Sequence, residues 1–161
     1  MRTTEEMSVQ RKKALFAEFV RFGSLWVVLE TVWQRVCPGF DPDNTRDGHP
    51  GVVVSDFPPG GFSSHLAMLI GTSKRGCNFA IPVDDVYRRE PGRKTWFSSL
   101  PPLQIPYRTF YEKERYVDTG KSVWNRHCIQ GLPKAKTTPG ETTSLRRLMS
   151  NFPWTEVEEG K

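Results

Sequence analysis

Four turn-forming stretches, CPGFDPDNTRDGH (37–49), DFPPGGFSS (56–64), RREPGRK (88–94) and LPPLQIP (100–106), cut the middle of this chain into short apolar runs. Glycine and proline at these positions stop a helix or a long strand from continuing. The runs between them, 25–29, 52–54, 65–70 and 77–83, are rich in the branched and aromatic residues that suit strands. The expected fold class is therefore mostly β, of the α+β kind. The most apolar run, 25–29, is followed within a few residues by Glu30, Gln34 and Arg35, far short of the roughly twenty residues a bilayer crossing requires. No membrane partner is expected.

Helical patterning precedes the strands. In residues 4–22, Leu15, Phe16, Phe19 and Phe22 share one face opposite Arg11, Lys12, Glu18 and Arg21. The same spacing continues through Trp26, Leu29, Trp33 and Val36, but Gly23 and Ser24 are poor helix formers and favour a break there. Residues 65–70, a basic turn at 71–76 and 77–83 read as a strand, a turn and a returning strand in one hairpin. The stretch 100–106 is a surface crossing or an edge, because its prolines carry no amide donor. One more strand fits in 107–117. A short helix is expected in 121–130, a flexible linker at 132–143, and a last helical turn or two in 144–152.

The chain has 161 residues, of which 37% are hydrophobic, enough for one core without disulfide or metal support. Cys37, Cys77 and Cys128 are odd in number and widely spaced, with no zinc-like pattern, and read as reduced thiols; neither metal nor cofactor is expected. The N-terminus lacks the pattern of a signal peptide, so the expected location is cytoplasmic. A net charge of +5 favours an anionic partner.

Several segments, taken in order, resemble the MazF/PemK family of ribonuclease toxins. They are GSLWVVLE (23–30), similar to the family's glycine-led first strand; HPGVVVS (49–55), where the family has Arg-Pro before an apolar strand ending in Ser; LIGTSKRGCNFAIPV (69–83), with its Thr-Ser pair, basic turn and Phe-x-x-Pro-Val ending; and VDTGKSVWNR (117–126), similar to an Asp-x-x-Lys/Arg-Ser stretch that opens a helix and carries Trp then Arg. The resemblance implies a small SH3-like barrel over 23–131, with an added N-terminal helix (1–22), a short helix after the last strand, and a linker and short C-terminal segment (132–161). It further implies a metal-independent endoribonuclease that cuts single-stranded RNA, works as a homodimer and is restrained by an antitoxin. The sequence departs from the family in its N-terminal helix, in the long loop at 88–106, and in having His49 where the family places a catalytic Arg.

RNA cleavage without a metal needs a proton acceptor, a donor for the charged phosphorane and an acid for the leaving oxygen. His49 can serve as acid or base near neutral pH, or it is an idle turn residue before Pro50. Thr72 matches a family position implicated in catalysis, and Thr72 and Ser73 can donate to phosphate or simply satisfy backbone groups in a turn. Arg75 is the better transition-state donor, with Lys74 beside it; both can equally be solvated turn cations. The expected catalytic residues are thus His49, Thr72 and Arg75. Arg46, three residues before His49, can replace the missing Arg if the loop folds back. Arg93 and Lys94, with Trp96, suit single-stranded RNA by charge and stacking, unless Trp96 tucks into the barrel. The expected RNA-binding residues are Arg46, Ser73, Lys74, Arg93, Lys94 and Trp96. The competing expectation is a non-catalytic SH3-like module that binds RNA or a protein.

Overall fold

Gly23 turns the chain with a φ of +88°, a conformation open to glycine, and β1 (Ser24–Leu29) starts directly after it. A computed structural model describes residues 20–37, 48–55, 65–72, 81–97, 102–117 and 123–150. The break at Gly23 is as expected; the N-terminal helix at 4–22 lies almost wholly outside the described residues. Helix α1 (Glu30–Val36) follows β1 without a loop. Then come β2 (Gly48–Val53), β3 (His65–Thr72), β4 (Ile81–Asp84), β5 (Lys94–Phe97), β6 (Leu103–Pro106), a 3-10 helix (Tyr107–Tyr111), β7 (Lys113–Val117), β8 (Val123–His127), β9 (Ile129–Lys136) and α2 (Pro139–Ser150).

The main sheet is antiparallel, in the order β4-β5-β3-β2-β1-β9. It forks at β3, whose first half pairs with β6 (Leu66↔Ile105) and whose last two residues pair with β5 (Gly71↔Phe97, Thr72↔Trp96). The sheet curls far enough for the Lys134 N–H on β9 to donate to the Val86 carbonyl just beyond β4, at 3.1 Å. Strands β7 and β8 form a separate ribbon.

Both faces of the sheet are covered, which explains the near-continuous apolar runs of β2 and β3. One face packs Val28, Val53, Leu66 and Met68 against Trp33 of α1, Ile105 of β6 and Phe110 of the 3-10 helix. Trp26 meets Phe110 edge to face, with ring centroids 5.2 Å apart. The other face packs Leu25, Val52, Leu69, Val83 and Phe97 against Leu132, with Leu145 and Met149 of α2. Gly51 lets the Trp33 ring approach β2: a Cβ there would lie 2.7 Å from Met68 Cε and 3.1 Å from the indole. Gly51→Ala is expected to cost about 1–3 kcal/mol in urea unfolding. A neutral result would show that the indole does not depend on this gap.

The mostly β class holds, and three local expectations are corrected. The strand at 65–70 does not form a hairpin with 81–83, the described part of the expected returning strand, because β5 stands between β3 and β4. The actual hairpin is β4–β5, whose turn is organised by Asp85: its carboxylate accepts the N–H groups of Tyr87 (3.0 Å) and Arg89 (2.8 Å). The short helix expected within 121–130, after the last strand, is instead β8 and the start of β9. The linker expected at 132–143 is instead the second half of β9, which pairs with β1 from Val28↔Ile129 to Ser24↔Lys136, and the start of α2, with two residues between them. Tertiary pairing overrides the loop-like composition of that stretch.

Candidate functional site

The ends of β2, β3 and β5 gather residues that lie far apart in sequence. Across β1 and β2, Val28 pairs with His49; across β2 and β3, Gly51 pairs with Ile70. Continuing that register by two residues sets His49 opposite Thr72. The strands stay close there, since a Cβ on Gly71 would lie 3.0 Å from the Pro50 ring. Thr72 in turn pairs with Trp96, and Trp96 with Pro82. Directly paired residues point to the same face of a sheet. His49, Thr72 and Trp96 therefore form one row, each half-buried, on the face against which α1 packs.

Glu30, the first residue of α1, closes on this row: its Oε1 lies 3.4 Å from His49 Nε2, with side-chain exposures of 15% and 13%. The helix that carries it is held at the same place by Trp33, whose Nε1–H donates to the His49 carbonyl at 3.3 Å. Beside Glu30, the Thr31 hydroxyl donates to Glu114 Oε2 at 2.6 Å. Arg126 grips the other oxygen of Glu114 through Nε at 3.3 Å and Nη2 at 3.0 Å. The β7–β8 ribbon is thereby pinned to α1 one residue from the Glu30–His49 contact. Sequence reading passed over Glu30, treating it only as a charge interrupting an apolar run. Its role depends on the β1–β2 register, which no local pattern states.

Two of the expected RNA-binding cations, Lys94 on β5 and Arg93 just before it, lie beside exposed acids. Lys94 pairs with Asp84 across the hairpin, and Arg93 Nη1 lies 3.3 Å from Glu90 Oε1. The hydrogen bond and charge of Lys94 hold the Asp84 carboxyl below its usual range, and Asp84 raises Lys94 in return. Burial pushes the Asp85 carboxyl up, but the backbone N–H groups of Arg89, Tyr87 and Glu90 outweigh it and leave it low. At the hairpin tip, Arg88 takes a φ of +52° and Arg89 lies over the Tyr87 ring at 4.7 Å. Arg46, Ser73, Lys74 and Arg75 lie outside the described residues; Thr72, the last residue of β3, is the point from which 73–75 depart.

Cys37 and Cys128 are free thiols, and burial pushes the Cys128 thiol up in pKa. Among the described residues, no group of three or more His, Cys, Asp or Glu is placed to hold a metal, and no helix is long and apolar enough to cross a membrane. In comparisons with known proteins, no family model and no curated protein matches the chain.

Proposed function

We propose that this protein is a metal-independent endoribonuclease of the MazF/PemK kind, built on an SH3-like barrel and cutting single-stranded RNA. The observation that supports this best is the row itself. Two expected catalytic residues, His49 and Thr72, and one expected base-stacking residue, Trp96, come from three segments and share one face and one end of the sheet.

In this reading a base stacks on Trp96 while its phosphate lies over Thr72. His49 takes the proton of the 2′-hydroxyl, and the 2′-oxygen attacks phosphorus. The Thr72 hydroxyl donates to a non-bridging oxygen as charge builds there, and Arg75, three residues further along the chain, is the residue assigned to add a fixed positive charge. The 5′-oxygen leaves with a proton returned by an acid, giving a 2′,3′-cyclic phosphate and a 5′-hydroxyl. The homodimer and the antitoxin follow from the family resemblance, and the cytoplasmic setting from the N-terminal pattern; light scattering reads the first of these directly. A second reading, a non-catalytic module that binds RNA or a protein, is favoured by one observation: His49 stands where the family carries Arg.

Incubating the protein with a long single-stranded RNA in EDTA separates the two. Discrete fragments are expected from the wild type. Loss of either His49 or Thr72 to alanine should slow the cut by about 100- to 10,000-fold, the range that a positioned acid, base or oxyanion donor supplies. Intact RNA at high protein concentration sinks the nuclease reading, and RNA retention on a filter would then favour the binding module.

A further inference from the structure

We infer that Glu30 is the positioning residue of His49, fixing which imidazole nitrogen faces the substrate. The inference rests on the reading of His49 as the proton-transfer group. Its structural basis is the approach of Glu30 Oε1 to His49 Nε2, two atoms 3.4 Å apart that are sealed from solvent and make no hydrogen bond at that distance.

A carboxylate in such a place requires a positive or proton-donating neighbour, because an uncompensated buried charge is costly. A ring that keeps its proton on Nε2 supplies that neighbour in both of its states, as a neutral donor and as imidazolium. Glu30 therefore selects the Nε2–H tautomer and leaves proton exchange with the 2′-hydroxyl to Nδ1. When Nδ1 takes the proton, the ring becomes a cation facing a carboxylate, so the contact is stronger in the transition state than in the ground state. At 3.4 Å it is long for a hydrogen bond, and it has room to shorten as that charge appears.

The backbone that carries Glu30 is suited to hold this geometry. It starts α1 with no intervening loop after β1, and β1 is itself the pairing partner of His49. Thr31 ties it to Glu114 and Arg126 on one side, and the buried Trp33 ties it to the His49 carbonyl on the other. Glu30 has little freedom to swing away, and reaches the reaction only through His49.

The test compares Glu30→Ala, Glu30→Gln and Glu30→Asp with wild type in the full chain, by long-range 1H–15N spectra of the histidine rings and by steady-state RNA cleavage in EDTA. His65 and His127, the other two histidines, serve as internal references. Wild type should show His49 as the Nε2–H tautomer when neutral. Glu30→Ala should mix the tautomers and lower kcat while KM holds, by no more than the roughly 100- to 10,000-fold that acid–base catalysis contributes. Glu30→Gln keeps an acceptor for Nε2–H and should keep the tautomer while losing part of kcat, which a purely structural role would not produce. It also stands in should the alanine variant fail to fold. An unchanged His49 tautomer and unchanged kcat in Glu30→Ala would overturn the inference. If wild type leaves RNA intact, the nuclease reading falls. The tautomer measurement still decides this one: a tautomer lost in Glu30→Ala and kept in Glu30→Gln supports positioning, and one unaffected by either overturns it.

Discussion

Trp33→Ala is expected to lower the unfolding free energy by about 3–5 kcal/mol, the range for deleting a large aromatic from a packed core. Trp33 has no exposed surface and fills the space between α1 and the sheet, lying against Gly51 with Met68 and Val53 in the same cluster. A domain typically has only about 5–15 kcal/mol in hand, so a large share of the native population is at stake. Trp33→Phe separates two contributions, because it keeps much of the packing and removes only the Nε1–H donated to the His49 carbonyl. Urea unfolding of both variants is the measurement. An alanine variant within about 1 kcal/mol of wild type would mean that α1 is not held by its tryptophan. If the proposed nuclease reading holds, cleavage by Trp33→Phe should fall more than its stability does, since the donor it loses is bonded to the backbone of His49, the residue proposed to move the proton.

The second large effect is expected at Glu141→Ala, at about 3–5 kcal/mol, the cost of leaving a buried charge without its partner. Lys134 is 8% exposed on β9, and its ammonium donates to Glu141 Oε1 at 2.7 Å. The same oxygen accepts the Thr138 N–H at 2.8 Å, while the Thr138 hydroxyl accepts the Glu141 N–H at 3.2 Å, so the two residues cap α2 reciprocally. The other oxygen, Oε2, accepts the Asp84 N–H at 2.7 Å, joining α2 to β4. Lys134→Met should cost less, because it removes the buried cation and leaves the cap in place. Burial pushes the Glu141 carboxyl up, but Lys134 and the two backbone donors outweigh it, and the folded value lies below the usual one. A depressed folded pKa gives stability that is fully present above the unfolded value, roughly 4.3, and is lost as pH falls through the folded value. Wild type should therefore weaken in acid more steeply than Glu141→Gln. Parallel acid limbs in denaturant titrations of the two proteins would exclude Glu141 as the source.

The strands β1 to β3 could be read from the chain because each is an apolar run bounded by glycine or proline, and Gly23 marks the first of them. Strand β9 could not be read so simply. Lys134 and Lys136 are its charged residues and Pro133 interrupts it, and Lys134 becomes buried only through Glu141, which belongs to the next element. A usable signal was present: Thr138-Pro139-Gly140-Glu141 has the spacing of a reciprocal cap, with proline at the first helical position. The placement of β5 between β3 and β4 was hidden for a different reason, since consecutive strands are usually neighbours. The site was legible in its residue types and not in its geometry. His49 and Thr72 stood out as chemistry, but their alignment, and the approach of Glu30, are set by strand register.

The pairing of β1 with β9 imposes a timetable on this molecule. Strand β2 reaches β1 soon after it is made, while the opposite edge of β1 must wait for residues 129–136, with nearly all of the sheet synthesised in between. Contacts of such long sequence separation form slowly, and an open strand edge is a template for association until it is covered. Val28, which pairs with His49 on one side and Ile129 on the other, is thus the hinge between an early half of the sheet and a late one. A nascent chain can assemble the row of His49, Thr72 and Trp96 while β1, the strand that braces it, is still open to other proteins along its far edge.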